Sequence, residues 1–433
     1  MNILVIGSGG REHALVWKLR QSPLVRKIYC TPGNAGIGSI AELVPSRMSD
    51  LQGLLEFVKR ASIALTVVGP EQPLTEGIVD LFMRHGMKIF GPTKAAAALE
   101  GSKIFAKQFM KKHNIPTAEW QSFDLSERYE ARRYLAEQPM PIVIKADGLA
   151  GGKGAVICET KDEALEVLDQ MMEKKIFGTA GERVVIEEFM VGEEASVFAL
   201  TDGKSLVTLP PAQDHKRILD GDQGKNTGGM GSYAPAAIIT DDLMDRIECS
   251  IVRPTIVGMA EEKREYKGCL YCGLMITEGG PKVVEFNSRF GDPEAQVILP
   301  LLDVDLVEVM IAVCDDKLNP GIVKFHDASA VCVVMALRGY PDSYETGKPI
   351  YGLESDLEED GVVVFHAGTR LEKNALVTSG GRVLGITALS YKDDLEGAIA
   401  LAYRAIEKIT FDGAYYRSDI GHKGIKRLKS VRA

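Results

Sequence analysis

The chain has 433 residues, 45% of them hydrophobic and 26% charged, with 44 glycines and 19 prolines. That length suggests roughly two to four domains, and the composition excludes disordered, collagen-like and low-complexity classes. A count of 51 lysines and arginines against 60 acids gives a net charge of -9, which is not the electrostatic footprint of a dedicated nucleic-acid binder. The longest uncharged apolar stretch, around 328–337, is well short of the roughly 18 residues a bilayer requires. No basic region precedes the first apolar run, so residues 2–6 read as a buried strand and not as a signal peptide. The seven cysteines are odd in number and scattered. Cys269 and Cys272 fall three apart on a predicted strand, on opposite faces, and are expected to be buried thiols and not metal ligands. A cytoplasmic protein with no membrane and no nucleic-acid partner is expected.

The first hundred residues alternate strand and helix patterns. Strands are predicted at 2–6, 27–31, 63–68 and 88–90. Helices are predicted at 13–20, from Ser49 (with Gln52 in the capping-box position), and at 76–85. Such alternation implies a parallel sheet whose ligand edge lies at the strands' carboxyl ends. Three turns fall there: Gly7-Ser8-Gly9-Gly10, Pro32-Gly33-Asn34-Ala35-Gly36 and Gly69-Pro70-Glu71-Gln72-Pro73. A long helical stretch, 95–114, links to a second unit. There, strands at 142–146, 155–159, 184–189 and 196–200 mix with a helix at 160–175. Short connections between adjacent strands imply antiparallel hairpins and an α+β unit. Strands at 331–337, 362–366 and 382–389, with a helix at 395–409, make a small closing domain.

Three constellations carry chemistry. Gly7-Ser8-Gly9-Gly10-Arg11-Glu12 has the strand-turn-helix context of a dinucleotide fingerprint, but Glu12 stands where the third glycine belongs. The turn can still offer N–H groups to a single phosphate. Between the strands 142–146 and 155–159, the loop Asp147-Gly148-Leu149-Ala150-Gly151-Gly152-Lys153-Gly154 joins four glycines to Lys153, with Lys145 on the first strand. It lacks the Walker spacing and enters a strand, which suits a hairpin covering phosphates. In Val284-Glu285-Phe286-Asn287-Ser288-Arg289, the alternation of a strand puts Glu285, Asn287 and Arg289 on one face. Two oxygen donors there suit Mg²⁺, and Arg289 offers a fork for phosphate or carboxylate. Glu187 and the backbone near Phe189 suit an adenine, and Glu194 suits ribose hydroxyls. The loops Gln213-Asp214-His215-Lys216-Arg217 and Asn226-Thr227-Gly228-Gly229-Met230-Gly231 suit a small zwitterionic or phosphorylated substrate. No HExxH or GxSxG motif is present, so phosphoryl transfer is better supported than hydrolysis.

Together these residues resemble the ATP-grasp superfamily and, within it, the glycinamide ribonucleotide synthetase family of purine biosynthesis. The resemblance spans essentially the whole chain, including Gly9-Gly10-Arg11-Glu12-His13-Ala14, Tyr416-Arg417-Ser418-Asp419-Ile420-Gly421 and, most specifically, Arg289-Phe290-Gly291-Asp292-Pro293-Glu294-Ala295-Gln296. Ser288, where cysteine is expected, and Lys225 before Asn226 are departures beside matched groups. The resemblance implies an α/β and α+β multidomain chain. Its parts would be a Rossmann-like substrate-binding domain (1–102), an ATP-grasp region (103–326, with a lid at about 117–192) and a small C-terminal α+β closing domain (327–433). It implies ATP-dependent joining of glycine to 5-phosphoribosylamine through glycyl phosphate, with Mg²⁺ or Mn²⁺, in a monomer or dimer.

By the same resemblance Lys145, Lys153, Arg289 and Asp214 are catalytic. Lys103, Lys145, Gly151, Gly152, Lys153, Glu187, Phe189 and Glu194 bind the nucleotide, and Glu285 and Asn287 hold the metal. Gly9, Gly10, Glu12, Asn34, Glu71, Asp214, Asn226, Arg289, Gly291 and Asp292 meet the substrates. Three other readings stay open at this stage. They are an NAD-dependent oxidoreductase, which leaves Glu12 and both central motifs unused, a nucleotide-binding protein without turnover, and an ATP-grasp ligase for another acid or amine.

Overall fold

The apolar runs of the first ninety residues pair as parallel strands in the order Glu42–Leu43, Lys27–Pro32, Asn2–Gly7, Ile63–Val68, Ile89–Phe90. This architecture comes from a computed structural model, which describes residues 1–151, 154–353, 361–392 and 394–432. The central strand is covered on both faces, which explains its unbroken hydrophobicity. Ile3 and Val5 pack with Leu15, while Leu4 and Ile6 pack with Leu54 and Val58. At its carboxyl end Gly9 caps helix Gly10–Leu19. Having no side chain of its own to offer, it donates its N–H to Glu12 Oε2 at 2.6 Å.

Several boundaries differ from expectation, each for a local reason. Helix Leu51–Arg60 is capped by Asp50, whose Oδ1 accepts from Gly53 N at 2.9 Å, and not by the Ser49–Gln52 pair. The predicted helix 76–85 is found at Ile78–Arg84, and the segment read as a turn forms a further short helix, Glu71–Glu76, separated from it by Gly77 with φ +97°. The long linker helix is two, Lys94–Gly101 and Lys103–Lys112, because the Ser102 hydroxyl accepts from Phe105 N and starts a new helix.

Two antiparallel four-stranded sheets form the middle of the chain. One runs Trp120–Asp124, Arg183–Glu188, Ile142–Ala146, Ala155–Cys158, and the other Leu206–Thr208, Glu193–Thr201, Gly268–Thr277, Gly280–Asn287. The expected hairpin between Arg183–Glu188 and Glu193–Thr201 is therefore absent, since they belong to different sheets. Gly192 lies so close to the Ile276 carbonyl that a Cβ would not fit, and this contact turns the chain onto Gly268–Thr277. Cys269 and Cys272 are buried in two separate clusters, on opposite faces of their strand. Among the described residues, no helix is long and apolar enough to cross a membrane.

The third sheet runs Gln213–Asp214, Gly231–Ala234, Ala328–Leu337, Arg382–Tyr391, Val362–His366, with Ala414–Tyr415 also paired to Ala328–Leu337. It docks on the first unit through His366. The His366 N–H donates to His13 Nδ1 at 2.8 Å, and its carbonyl accepts from Asn34 Nδ2 at 2.7 Å. Its ring fills the space that a side chain at Gly36 would occupy.

The His13 bond requires a neutral imidazole. Burial, aided by the neighbouring His366, pulls His13 from 6.5 to about 3, and burial pulls His366 to about 4. The folded chain thus binds fewer protons than the unfolded one below pH 6.5, so stability falls as the pH drops from 6.5 towards these values. His13→Gln keeps an acceptor without titrating. Across a pH series from about 6.5 to 4 its unfolding free energy should fall less steeply, with proton uptake on unfolding lower by about one.

Candidate active site

The two middle sheets face each other across a cleft, and buried charges fasten them. Lys145, on Ile142–Ala146, donates to the Val284 carbonyl of the opposite sheet at 3.0 Å and pairs with Glu187 at 3.0 Å. Lys107 reaches the same Glu187 oxygen at 3.1 Å from helix Lys103–Lys112 and donates to Thr117 Oγ1 at 2.8 Å. Glu187 Oε1 is buried without a hydrogen-bond partner. Burial pulls the Lys107 ammonium down to about 8 in spite of Glu187.

The glycine-rich loop is tied to this helix. Asp147 Oδ1 accepts from Ser102 Oγ at 2.9 Å and from Ile104 N at 2.7 Å, and Lys103 Nζ donates to the Gly148 carbonyl at 3.2 Å. Burial lowers the Lys103 ammonium, with Glu285 opposing. Gly151 is exposed with φ +57°. The expectations for Gly152 and Lys153 fall outside the described residues. Phe189 is partly exposed.

On Gly280–Asn287 and just beyond, Glu285, Asn287 and Arg289 are partly exposed while Phe286, Ser288 and Phe290 are buried, so the expected common face exists. Among the described residues, the Glu285 carboxylate has no hydrogen bond and no ion pair within 4 Å. Burial pushes its carboxyl up, but Lys216, Lys145, Lys103 and Arg289 outweigh burial and hold it below the usual range. Asn287 Oδ1 accepts from Arg289 at 3.2 Å. Arg289 also pairs with Glu71 at 3.3 Å and Glu100 at 2.9 Å. Burial pushes Glu100 up to about 7, Arg289 notwithstanding.

A second group of acids flanks this face. Asp214 Oδ1 is buried without a donor, and burial together with Glu294 raises its carboxyl. Glu294 accepts from Ser196 Oγ at 3.0 Å, and Lys216 pairs with Glu194 at 2.6 Å. Gly229, at φ +109°, lies against the Asp214 carboxylate. Asn226 is exposed on the hairpin before this loop and is not brought to Asp214 by its side chain.

Beside the cleft is a cavity of about 350 Å³, lined by Gly9, Asn34, Asp292, Gly368, Ser379 and Arg382 among others. Arg382 donates to the carbonyls of Gly228 (2.6 Å) and Asp292 (2.9 Å), and pairs with the Asp292 carboxylate at 3.3 Å. Some expected substrate contacts are already committed within the protein. The Asn34 amide donates to Ser8 and His366 carbonyls while its oxygen accepts from Ile37 N, and Glu12 accepts from Gly9 N and Arg11 Nε. Gly10 lies against the Gln296 amide and Gly291 against the Glu294 carboxylate, close approaches that a side chain would block.

Sequence reasoning missed Lys107, Glu100, Glu294 and Arg382. Lys107 and Glu100 sit in what reads as a linker helix, Glu294 falls inside a signature, and Arg382 stands at the end of a strand.

Comparison with known proteins gives the family. Residues 1–100, 101–295 and 330–423 match the N domain, the ATP-grasp (A) domain and the C domain of phosphoribosylglycinamide synthetase. A phosphoribosylamine–glycine ligase of Caldanaerobacter subterraneus is 52% identical over 97% of this chain and 99% of its own. The chain belongs to the phosphoribosylglycinamide synthetase family. A crystal structure of phosphoribosylamine–glycine ligase from Thermotoga maritima superposes with a TM-score of 0.84 at 36% identity, covering 97% of this chain and all of that one. A biotin carboxylase from Campylobacter jejuni, 14% identical with a TM-score of 0.72 over 96% of this chain and 92% of its own, shares the fold.

In this synthetase-family chain the cavity draws residues from all three matched regions, and the cleft lies within the ATP-grasp match. Lys107→Met leaves Glu187 with one buried cation and should lower stability by about 2 kcal/mol, since half of a buried pairing is lost. Adding Glu187→Gln should recover part of that loss, and denaturant midpoints of the single and double variants check both outcomes.

Proposed function

We infer that this chain is an ATP-dependent carbon–nitrogen ligase that joins glycine to 5-phosphoribosylamine, giving glycinamide ribonucleotide, ADP and phosphate. The observation that carries the reading is the Glu285 carboxylate, without a partner among the described residues and surrounded by Lys216, Lys145, Lys103 and Arg289. Among the described residues no cluster of three or more His, Cys, Asp or Glu could hold a metal alone. The donors Glu285 and Asn287 nevertheless fit Mg²⁺ or Mn²⁺, which takes oxygen ligands and retains waters and phosphate oxygens. When bound, such a cation neutralises phosphate charge and polarises the transferring phosphoryl group.

The residues divide the work by charge. Lys145, Lys103 and the Gly148–Gly151 turn, with Lys153, hold the triphosphate in line. Glu187 Oε1, buried and unpartnered, accepts from the adenine amino group beside the Phe189 backbone, and Glu194 accepts from the ribose. Glycine's carboxylate oxygen attacks the γ-phosphorus and ADP leaves. The amine nitrogen of phosphoribosylamine then attacks the glycyl carbon, phosphate leaves and the nitrogen gives up a proton. Asp214, whose buried oxygen lacks a donor, faces the zwitterionic substrate with the Asn226 loop closing over it. Arg289, held by Glu71, orients the acyl phosphate. The cavity lined by Gly9, Asn34, Asp292 and Arg382 receives the phosphoribosyl group, with Gly10 and Gly291 packed behind it against Gln296 and Glu294, and Glu12 shaping its turn. Excluding water is essential, because an acyl phosphate hydrolyses readily.

The same reading places the domain limits near 102 and 326, makes 117–192 a lid, and puts a monomer or dimer in the cytoplasm. ADP release with ATP, Mg²⁺, glycine and fresh phosphoribosylamine, each omitted in turn, tests it. Release independent of glycine or of the amine overturns it. Glu285→Ala should stay folded, with a lower thermal midpoint because four cations lose their carboxylate. Its Mg²⁺-dependent turnover should fall by about 10²–10³-fold, the scale for a preorganised electrostatic group.

A further inference from the structure

The segment Tyr416-Arg417-Ser418-Asp419-Ile420-Gly421 does not line the cavity, yet it contains the largest fully buried side chain of the molecule, Arg417. Its guanidinium meets Asp419 through two bonds of 2.7 Å, and NH1 donates to Asp222 Oδ1 and to the Arg217 carbonyl, both at 3.0 Å. Asp222 and Arg217 lie 195 and 200 residues earlier, in the hairpin of Arg217–Leu219 and Gln223–Asn226.

The neighbours of Arg417 hold the same hairpin. Ser418 N donates to Asp220 at 2.9 Å, Asp419 accepts from Gly221 N at 2.8 Å, the Tyr415 hydroxyl donates to the Ile218 carbonyl at 2.8 Å, and Lys423 pairs with Asp222. The hairpin's two strands pair only with each other, and such an isolated ribbon is marginal in water. Its base is closed by the Thr227 N–H and hydroxyl, both donating to the Lys216 carbonyl at 2.8 Å, and Lys225 pairs with Asp342 at the surface, while the buried anchors of its turn come from the C-terminal segment. The hairpin begins directly after Asp214-His215-Lys216 and runs into the loop that sets Gly229 against Asp214.

We propose that Arg417 is the positioning residue of this segment, fixing Asp214 and Lys216 at the site by clamping the hairpin between them and the Asn226 loop. The proposal rests on the ligase reading for its kinetic consequence but not for its structural one. Arg417→Lys keeps the charge and loses the planar fork. In the full chain, amide exchange over 217–226 should quicken while that over 142–146 stays unchanged. The KM for glycine should rise about tenfold with the KM for ATP within about twofold, the size of effect a displaced binding group produces.

If kcat falls only in step with the folded fraction and the glycine KM is unchanged, Arg417 is merely structural and the proposal fails. Where Arg417→Lys does not fold, Tyr415→Phe decides. It removes one hydroxyl bond to the hairpin, and should quicken exchange over 217–226 and raise the glycine KM about threefold. Wild-type values for both overturn the proposal. A wild-type chain that releases no ADP defeats the ligase reading, and unchanged exchange over 217–226 then still overturns the clamp.

Discussion

A buried lysine ammonium has to find an acceptor, and Lys145 finds two on different sheets: the Glu187 carboxylate beside it and the Val284 carbonyl across the cleft. That constraint fixes the separation of the sheets. It also recruits Lys107, because Glu187 takes both ammonium groups on one oxygen, and so locks helix Lys103–Lys112 to the sheet. Asp147 secures the helix start through Ser102 and Ile104. The glycine-rich turn and the floor of the cleft are held in one frame by Lys145, Glu187, Lys107 and Asp147. Two cations on one carboxylate leave an excess of positive charge in a region of poor solvation, where an anion is worth far more than in water.

The opposite imbalance occurs a few residues away. Arg289 faces both Glu71 and Glu100, and Asp214 lies near Glu294. One end of the site is therefore cationic and the other acidic. Glu285 stands in the cationic group without a partner among the described residues and is kept ionised by it. A site graded in this way orients a substrate that carries charges of both signs before any contact is specific, and steers a polyanion to the end with lysines.

Much of this was legible because strands alternate. The same-face placement of Glu285, Asn287 and Arg289, and the separation of Cys269 from Cys272, follow from parity alone, and the glycine-rich hairpin is local in sequence. What escaped was long-range or depended on side-chain competition. Lys107 gains meaning only from Glu187, eighty residues on, and Glu100 only from Ser288 and Arg289. Ser49 and Asp50 both offer a helix cap, and only the folded backbone shows that Asp50 takes it. The four residues between Arg183–Glu188 and Glu193–Thr201 look like a hairpin turn, but the partner that captures the second strand, Gly268–Thr277, lies far along the chain.

The third sheet shows why a site of this kind needs the whole chain. Gln213–Asp214 and Gly231–Ala234 are threaded into the sheet of the last hundred residues, so Asp214 can be placed only once that sheet has formed. The same sheet carries Arg382, which grips the Gly228 and Asp292 carbonyls, and His366, which holds Asn34 and therefore the turn at the end of the first unit. Gly36 leaves room for the His366 ring, and a larger residue there would separate the two units at the wall of the cavity. The C-terminal region is thus not an appendage that covers a finished site. It supplies one wall and holds the other in place, so the cavity exists only when the three regions are docked.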